Sequence, residues 1–242
     1  MPSKRFSGKL CVYCSSRLAT TGDHIFAREF FLPAVRRNLP QAPACVQCNN
    51  SKSKLEHYLT TVLPFAGRHP DAQENLAALV PDRLAKNQRL ARELSGGRGH
   101  TWQPDGASLR LMLSIPLDSA KVCDLFGQVV RGLIWHHWGF YMGEGDPSKA
   151  TFLTSAGSAY FARLQATVFT TQVEANVGQG TVTYSGARSD NVPHVSLWRI
   201  RFYGGLMTAG DPSAPGEIST EIGVAAGPLA EVTEIYAERR EA

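Results

Sequence analysis

The chain has 242 residues, 43% of them hydrophobic and 19% charged, with a net charge of +4. That length holds one large domain or a small one joined to a medium one, and so apolar a composition builds a packed core, which excludes a disordered tail, a collagen and a solenoid. No run nears the roughly 18 apolar residues of a membrane span, and the opening Met-Pro-Ser-Lys-Arg is not followed by the apolar stretch of a signal peptide, so a soluble, cytoplasmic protein with no membrane partner is expected.

Charge and cysteine are both concentrated at the front. Residues 1–100 carry 15 Lys and Arg against 7 Asp and Glu, while residues 101–242 carry 10 against 14. A basic front half points to a polyanionic partner, whose phosphates supply affinity through counterion release. Four of the five cysteines form two Cys-x-x-Cys pairs, Cys11/Cys14 and Cys45/Cys48. In a cytoplasmic chain two such pairs read as the four soft ligands of one tetrahedral zinc rather than as disulfides or a redox motif. A module of about 60 residues has a marginal core, and a structural zinc brings on the order of 10 kcal/mol, so the metal is expected to be required for folding. Four thiolates close the coordination sphere and leave it no catalytic position. Cys123, in an apolar helical stretch, reads as a buried thiol.

Between the pairs lies a short β-prone run, 21–26, containing Asp23-His24; after the second pair the pattern turns helical through residue 59. Cys11-x-x-Cys14, Asp23-His24-Ile25, Asn38-Leu39 and Cys45-x-x-Cys48-Asn49-x-x-Lys52-Ser53 follow one another in an order that resembles the HNH endonucleases with their ββα-metal fold, over about a quarter of the chain. The resemblance implies that His24 is the general base and that Asp23 and Asn49 hold a catalytic divalent ion. It also implies that Asn38 steadies the loop and the base. An imidazole of ordinary pKa about 6.5 suits removal of a proton from water at neutral pH. A carboxylate and an amide oxygen are hard ligands suited to Mg²⁺ or Mn²⁺. Lys52 is expected to meet a substrate phosphate, and Arg36 and Arg37 to clamp the nucleic-acid backbone. Lys54 and His57 read as solvated helix residues. Adjacent strand residues point to opposite faces, so a break in the strand is expected where Asp23 and His24 share a site.

Residues 60–70, with Pro64, Gly67 and Pro70, break the helix, and 76–94 read as a helical segment kinked at Pro81 with Arg83, Lys86, Arg89 and Arg92 on a basic face. Residues 96–99 read as a linker. Beyond about 105 we expect a strand at 109–117, a buried helix at 119–138 ending in Trp135-His136-His137-Trp138, a helix at 151–164, and strands at 166–173, 180–184, 195–206, 217–224 and 231–235. Arg199 and Arg201 face either solvent or phosphate. The fold expected is α+β: a zinc-stapled ββα-metal module at 1–65, a helical linker at 66–104, and an α+β accessory domain with a mostly antiparallel sheet at 105–242. The accessory domain offers a surface for substrate selection, a partner protein or a homo-oligomer. The function expected is DNA phosphodiester hydrolysis with structural Zn²⁺ and catalytic Mg²⁺ or Mn²⁺, in restriction, phage defence or mobile-element processing. RNA as substrate, and a zinc-dependent nucleic-acid binder or scaffold without catalysis, are the alternatives.

Overall fold

The structure, a computed structural model, describes residues 4–105, 108–143, 145–190, 192, 194–209, 218–219 and 221–228. At its front, β1 (Thr21–His24) and β2 (Gln41–Ala44) form an antiparallel pair, joined by a loop with two single-turn 3₁₀ segments and followed at once by α1 (Val46–Val62). The region expected to be one kinked helix is three: α2 (Pro70–Ala78), α3 (Val80–Lys86) and α4 (Gln88–Gly96). Pro81 starts α3 instead of bending a longer helix, because its missing N–H costs nothing in a first turn. Asn87 caps α4 through its side-chain oxygen.

The stretch expected to be a linker ends α4 and opens β3 (Gly99–Asp105), which among the described residues pairs only with β4 (Ser108–Ser114). The register sets Trp102 opposite Leu111, so Trp102, Leu109, Leu111 and Leu113 share one face of this hairpin, and all four are exposed. Next comes α5 (Ser119–Trp138), where it was expected. Asp118 accepts the Lys121 N–H at its start and Gly139, at φ 73°, ends it in the left-handed conformation.

The second half corrects the expected boundaries. Residues 151–164 are not one helix: β5 (Ser148–Leu153) ends, Thr154 caps, and α6 (Ser155–Val168) begins. The helix therefore consumes the front of the strand expected at 166–173. The strands that follow are β6 (Thr171–Val177), β7 (Val182–Arg188), β8 (Ser196–Phe202), the short pair β9 (Thr208–Ala209) and β10 (Ile218–Ser219), and β11 (Glu221–Ala226). The strand expected at 231–235 lies outside the described residues. One five-stranded antiparallel sheet results, in the order β5-β11-β8-β7-β6.

One face of that sheet carries Val182, Tyr184, Trp198, Ile200, Phe202, Ile222 and Val224 into a core shared with α5 and with the front module. Phe202 is its hub, with ring centroids 4.9 Å from Phe30, 5.3 Å from Phe126 and 5.8 Å from Phe26. Tyr203 donates its hydroxyl to the Phe30 carbonyl at 2.6 Å. The boundary expected at residue 65 thus marks no break in packing: a single apolar cluster runs from Cys11 to Ala226. On the other face α6 covers Ala187 and Leu197. Arg199 and Arg201, left between solvent and phosphate by the sequence, converge on Glu221, which is buried and also accepts from Ser158. Burial alone would raise the Glu221 carboxyl, but Ser158 and the two arginines hold it below the usual range.

His137 is set against Tyr184, ring nitrogen to hydroxyl at 2.9 Å, and burial depresses its pKa to about 4, helped by neighbouring His136. The unfolded chain, with His at about 6.5, takes up this proton first as pH falls. Stability is therefore complete above pH 6.5, declines between 6.5 and 4, and loses nothing further from this group below 4. The ring is half-exposed, so solvent screening leaves a decline on the order of 2 kcal/mol. His137→Gln should flatten that window in urea titrations at pH 7 and 4.5; an unchanged slope would remove His137 as its source.

Candidate functional site

The first Cys pair sits in a tight knuckle. Leu10 bridges Leu18, Cys11 donates its N–H to the Arg17 carbonyl, and Ser15 turns the chain at φ 53°. Val12 and Thr20 then donate to the carbonyls of Pro43 and Ala44, which docks the knuckle on β2. The second pair is fixed by α1: Cys45 is its N-cap, accepting the Cys48 N–H, and Cys48 lies in its first turn. The four sulfur atoms lie within 4.8 Å of one another. A tetrahedron with Zn–S of about 2.3 Å needs S–S separations of about 3.8 Å, so the cluster fits a structural zinc. Four thiolates around Zn²⁺ leave two negative charges, and Arg17, which donates to Cys48 Sγ at 3.5 Å, offsets part of that excess. Burial raises the Cys14 thiol, but hydrogen bonds from Ser16 and Arg17 prevail and bring it to about 6.

Beside this cluster, Asp23 and Lys52 are buried together. Asp23 is 8% exposed and Lys52 wholly enclosed. The Lys52 ammonium lies 2.9 Å from Asp23 Oδ2, donates to the His24 carbonyl at 2.8 Å, and makes a short contact with Glu56 Oε1 one helical turn on. Three N–H donors meet three acceptors, which is why a buried lysine is tolerated here. Tyr13 donates its hydroxyl to the same Asp23 Oδ2 at 2.5 Å, and burial together with Asp23 pushes its pKa well up. Burial also raises the Glu56 carboxyl, Lys52 opposing it only in part. Lys52 was expected to meet a substrate phosphate; enclosed and triply bonded, it is instead an internal counter-ion. The i,i+4 spacing of Lys52 and Glu56 was readable as an ion pair. Nothing in the sequence pointed to Tyr13.

The strand does not break between Asp23 and His24. The ladder runs through Asp23 opposite Ala42 and His24 opposite Gln41, so the two side chains leave on opposite faces of the hairpin. Asp23 turns to Tyr13 and α1. His24 lies against its cross-strand neighbour, with Nε2 at 3.1 Å from the Gln41 amide nitrogen. That nitrogen only donates, so Nε2 accepts and the ring proton belongs on Nδ1. Burial, and then Arg28, lower the His24 pKa, which keeps the imidazole neutral and able to take a proton.

Asn49 is half-buried on the second turn of α1, and Asn38 is exposed at φ 59° in the turn before β2. Among the described residues, no hydrogen bond joins either asparagine to Asp23 or His24. Arg36 donates to the Phe31 carbonyl, steadying the loop, while Arg37 is exposed. Arg83, expected on a basic face, donates instead to the carbonyls of Thr60 and Glu29. Cys123 is only half-buried: it donates to the Ala150 carbonyl and lines a cleft of about 450 Å³ between α1 and α5 beside Cys48. No described helix is long and apolar enough to cross a membrane.

Comparison finds no protein-family model, curated protein or solved structure that matches the chain.

Proposed function

We propose that the chain is a metal-dependent endonuclease of the HNH type acting on DNA. The observation that carries this reading is the local fold: an antiparallel β-hairpin runs straight into a helix, and its first strand ends in Asp23-His24. The first turn of that helix carries the second Cys pair, and Asn49 follows on the next turn. Hydrolysis of a phosphodiester requires a water made nucleophilic in line with the leaving oxygen and charge neutralised at the phosphate. His24, kept neutral by its surroundings, accepts the proton of that water once Gln41 yields its hydrogen bond. Asp23 and Asn49 supply hard oxygens that would hold Mg²⁺ or Mn²⁺, and such an ion, when bound, supplies the positive charge at the phosphate. Tyr13 and Lys52 both engage Oδ2 of Asp23 and so fix its carboxylate, leaving Oδ1 for a further ligand. Arg36 and Arg37, on the loop between the strands, are the residues assigned to the nucleic-acid backbone.

A second reading has its own support. With Asp23 and His24 on opposite faces and Oδ2 of Asp23 already committed, the module serves equally as a zinc-stapled nucleic-acid binder without chemistry. RNA remains the alternative substrate, since the same base and ion act on either backbone.

Supercoiled plasmid incubated with the protein and Mg²⁺ or Mn²⁺ should be nicked or linearised. His24→Ala should lower that rate by about 10²-fold or more, the usual worth of a general base, with zinc content and circular dichroism unchanged. Cleavage by the mutant at the normal rate would remove His24 from the chemistry. No cleavage of DNA or RNA by the wild type, together with salt-sensitive binding, would establish the binder.

A further inference from the structure

Among the described residues no third strand extends the hairpin of β3 and β4, which leaves it a two-stranded sheet with two open edges. A hairpin of that kind is marginal in water, and gains stability from a further strand or from something packed on an apolar face. Such a face is present. Trp102 and Leu111 are cross-strand partners near its centre, and Leu109 and Leu113 lie two residues to either side of Leu111, on the same side of the pleat. Trp102 is 63% exposed, Leu109 65%, Leu111 48% and Leu113 50%. Eight large apolar side chains are exposed among the described residues, and these four are half of them. Single exposed apolar residues are ordinary, whereas a contiguous group marks a surface that something else covers. Together the four offer about 450 Å² of apolar surface, the size of the largest patch on a typical monomer and over half of the roughly 800 Å² that each partner gives to a stable interface.

We propose that this face is a homodimer interface, with the hairpins of two copies of the chain packed face to face about a two-fold axis. Area and charge select that occupant. A two-fold axis sets the same patch against itself, so four side chains from each copy bury about 900 Å², and the backbone and flanking residues of the hairpins bring the total to the roughly 1,200 Å² at which stable interfaces begin. None of the four side chains is charged, so a copy laid on its own image opposes no like charges. A lipid surface or a nucleic acid would ask for several Lys or Arg beside the apolar face. The two strands hold one such residue, Arg110, against one acid, Asp105. Trp102 supplies the aromatic anchor that dominates interface energetics, and the leucines exclude water around it. An interface at the small end of the range gives a dissociation constant on the order of micromolar. The pairing requires no cleavage and stands apart from the nuclease reading.

The experiment is analytical ultracentrifugation of the full, zinc-loaded chain from about 0.1 to 100 µM, beside its tryptophan emission over the same range. The wild type should pass from monomer to dimer, and at about 1 M salt the dimer should persist, because an apolar contact is not screened. The double variant Leu111→Thr, Leu113→Thr keeps residues that favour a strand while removing apolar area, and should weaken the dimer by about 10²-fold or more with circular dichroism unchanged. Leu18→Thr, at a leucine 62% exposed on the zinc knuckle, should leave the dimer intact. Emission should shift to the blue as the dimer forms, and Trp102→Phe should remove that shift while leaving Trp135, Trp138 and Trp198 in place. If the double variant does not fold, the Trp102→Phe emission and the Leu18→Thr control decide. A wild type that stays monomeric throughout overturns the proposal, and binding of that monomer to phospholipid vesicles would give the face to a membrane instead. A dimer that survives in the folded double variant, dissociates in Leu18→Thr, or keeps its emission shift without Trp102 overturns it equally.

Discussion

Cys45→Ser should yield a chain that holds no zinc and does not fold at its front. A structural zinc contributes on the order of 10 kcal/mol, the size of a whole domain's stability, so losing one of its four ligands leaves too little to order the module. Serine is a better N-cap than cysteine, so the start of α1 loses nothing from the exchange itself, and any unfolding is traceable to the metal. Because the front module and the sheet share one core, the loss should extend to the sheet. Metal analysis by mass spectrometry beside thermal melts checks this. A zinc-free mutant with the wild-type melting temperature would show that the four sulfurs have no structural role.

Phe202→Ala should have the second-largest effect on the fold. The ring is enclosed and touches Phe26 and Phe30 from the front, Phe126 from α5, and Tyr203 from the turn after β8. Truncating a buried phenylalanine costs about 3–5 kcal/mol, which in a chain of this size lowers the melting temperature by about 10 °C. The shared core makes a sharper demand. Zinc release and the fluorescence of buried Trp198, both tied to the one cluster, should shift together. A mutant in which the sheet melts early while zinc stays bound to the wild-type temperature would divide the chain into two independent units.

Where local chemistry decides, the sequence was readable. The bounds of α5 follow from Asp118 before it, Gly139 after it and an apolar face between; the zinc cluster follows from two Cys-x-x-Cys pairs alone. The β5–α6 boundary was missed because Leu153-Thr154-Ser155 interrupts no hydrophobic pattern. Only the hydroxyl of Thr154, capping Gly157, marks where strand gives way to helix. At the candidate site the residue types were legible and their directions were not. Whether Lys52 faces solvent or Asp23 depends on how α1 lies on the hairpin, a tertiary fact to which helix periodicity contributes little. The alternation of Asp23 and His24 was readable as a constraint, and the continuous ladder shows that the constraint was obeyed where a break had been expected.

The strand order of the large sheet bears on how the molecule is made. β11 lies between β5 and β8, although β5 is synthesised about 70 residues before it and β8 about 20. Until residues 221–226 leave the ribosome, β5 has no neighbour in the sheet, and β6, β7 and β8 form a three-stranded piece with an open edge at β8. The rings of Phe126, Tyr184 and Phe202 are available to Phe26 and Phe30 by then, but Trp198 and Ile200 still lack Val224 and Ile222 beside them. Completion of the sheet therefore waits on the last strand among the described residues, and a long-range pairing of this kind is slow to find. The interval before it is when the nascent chain is most exposed to proteases and to its own copies.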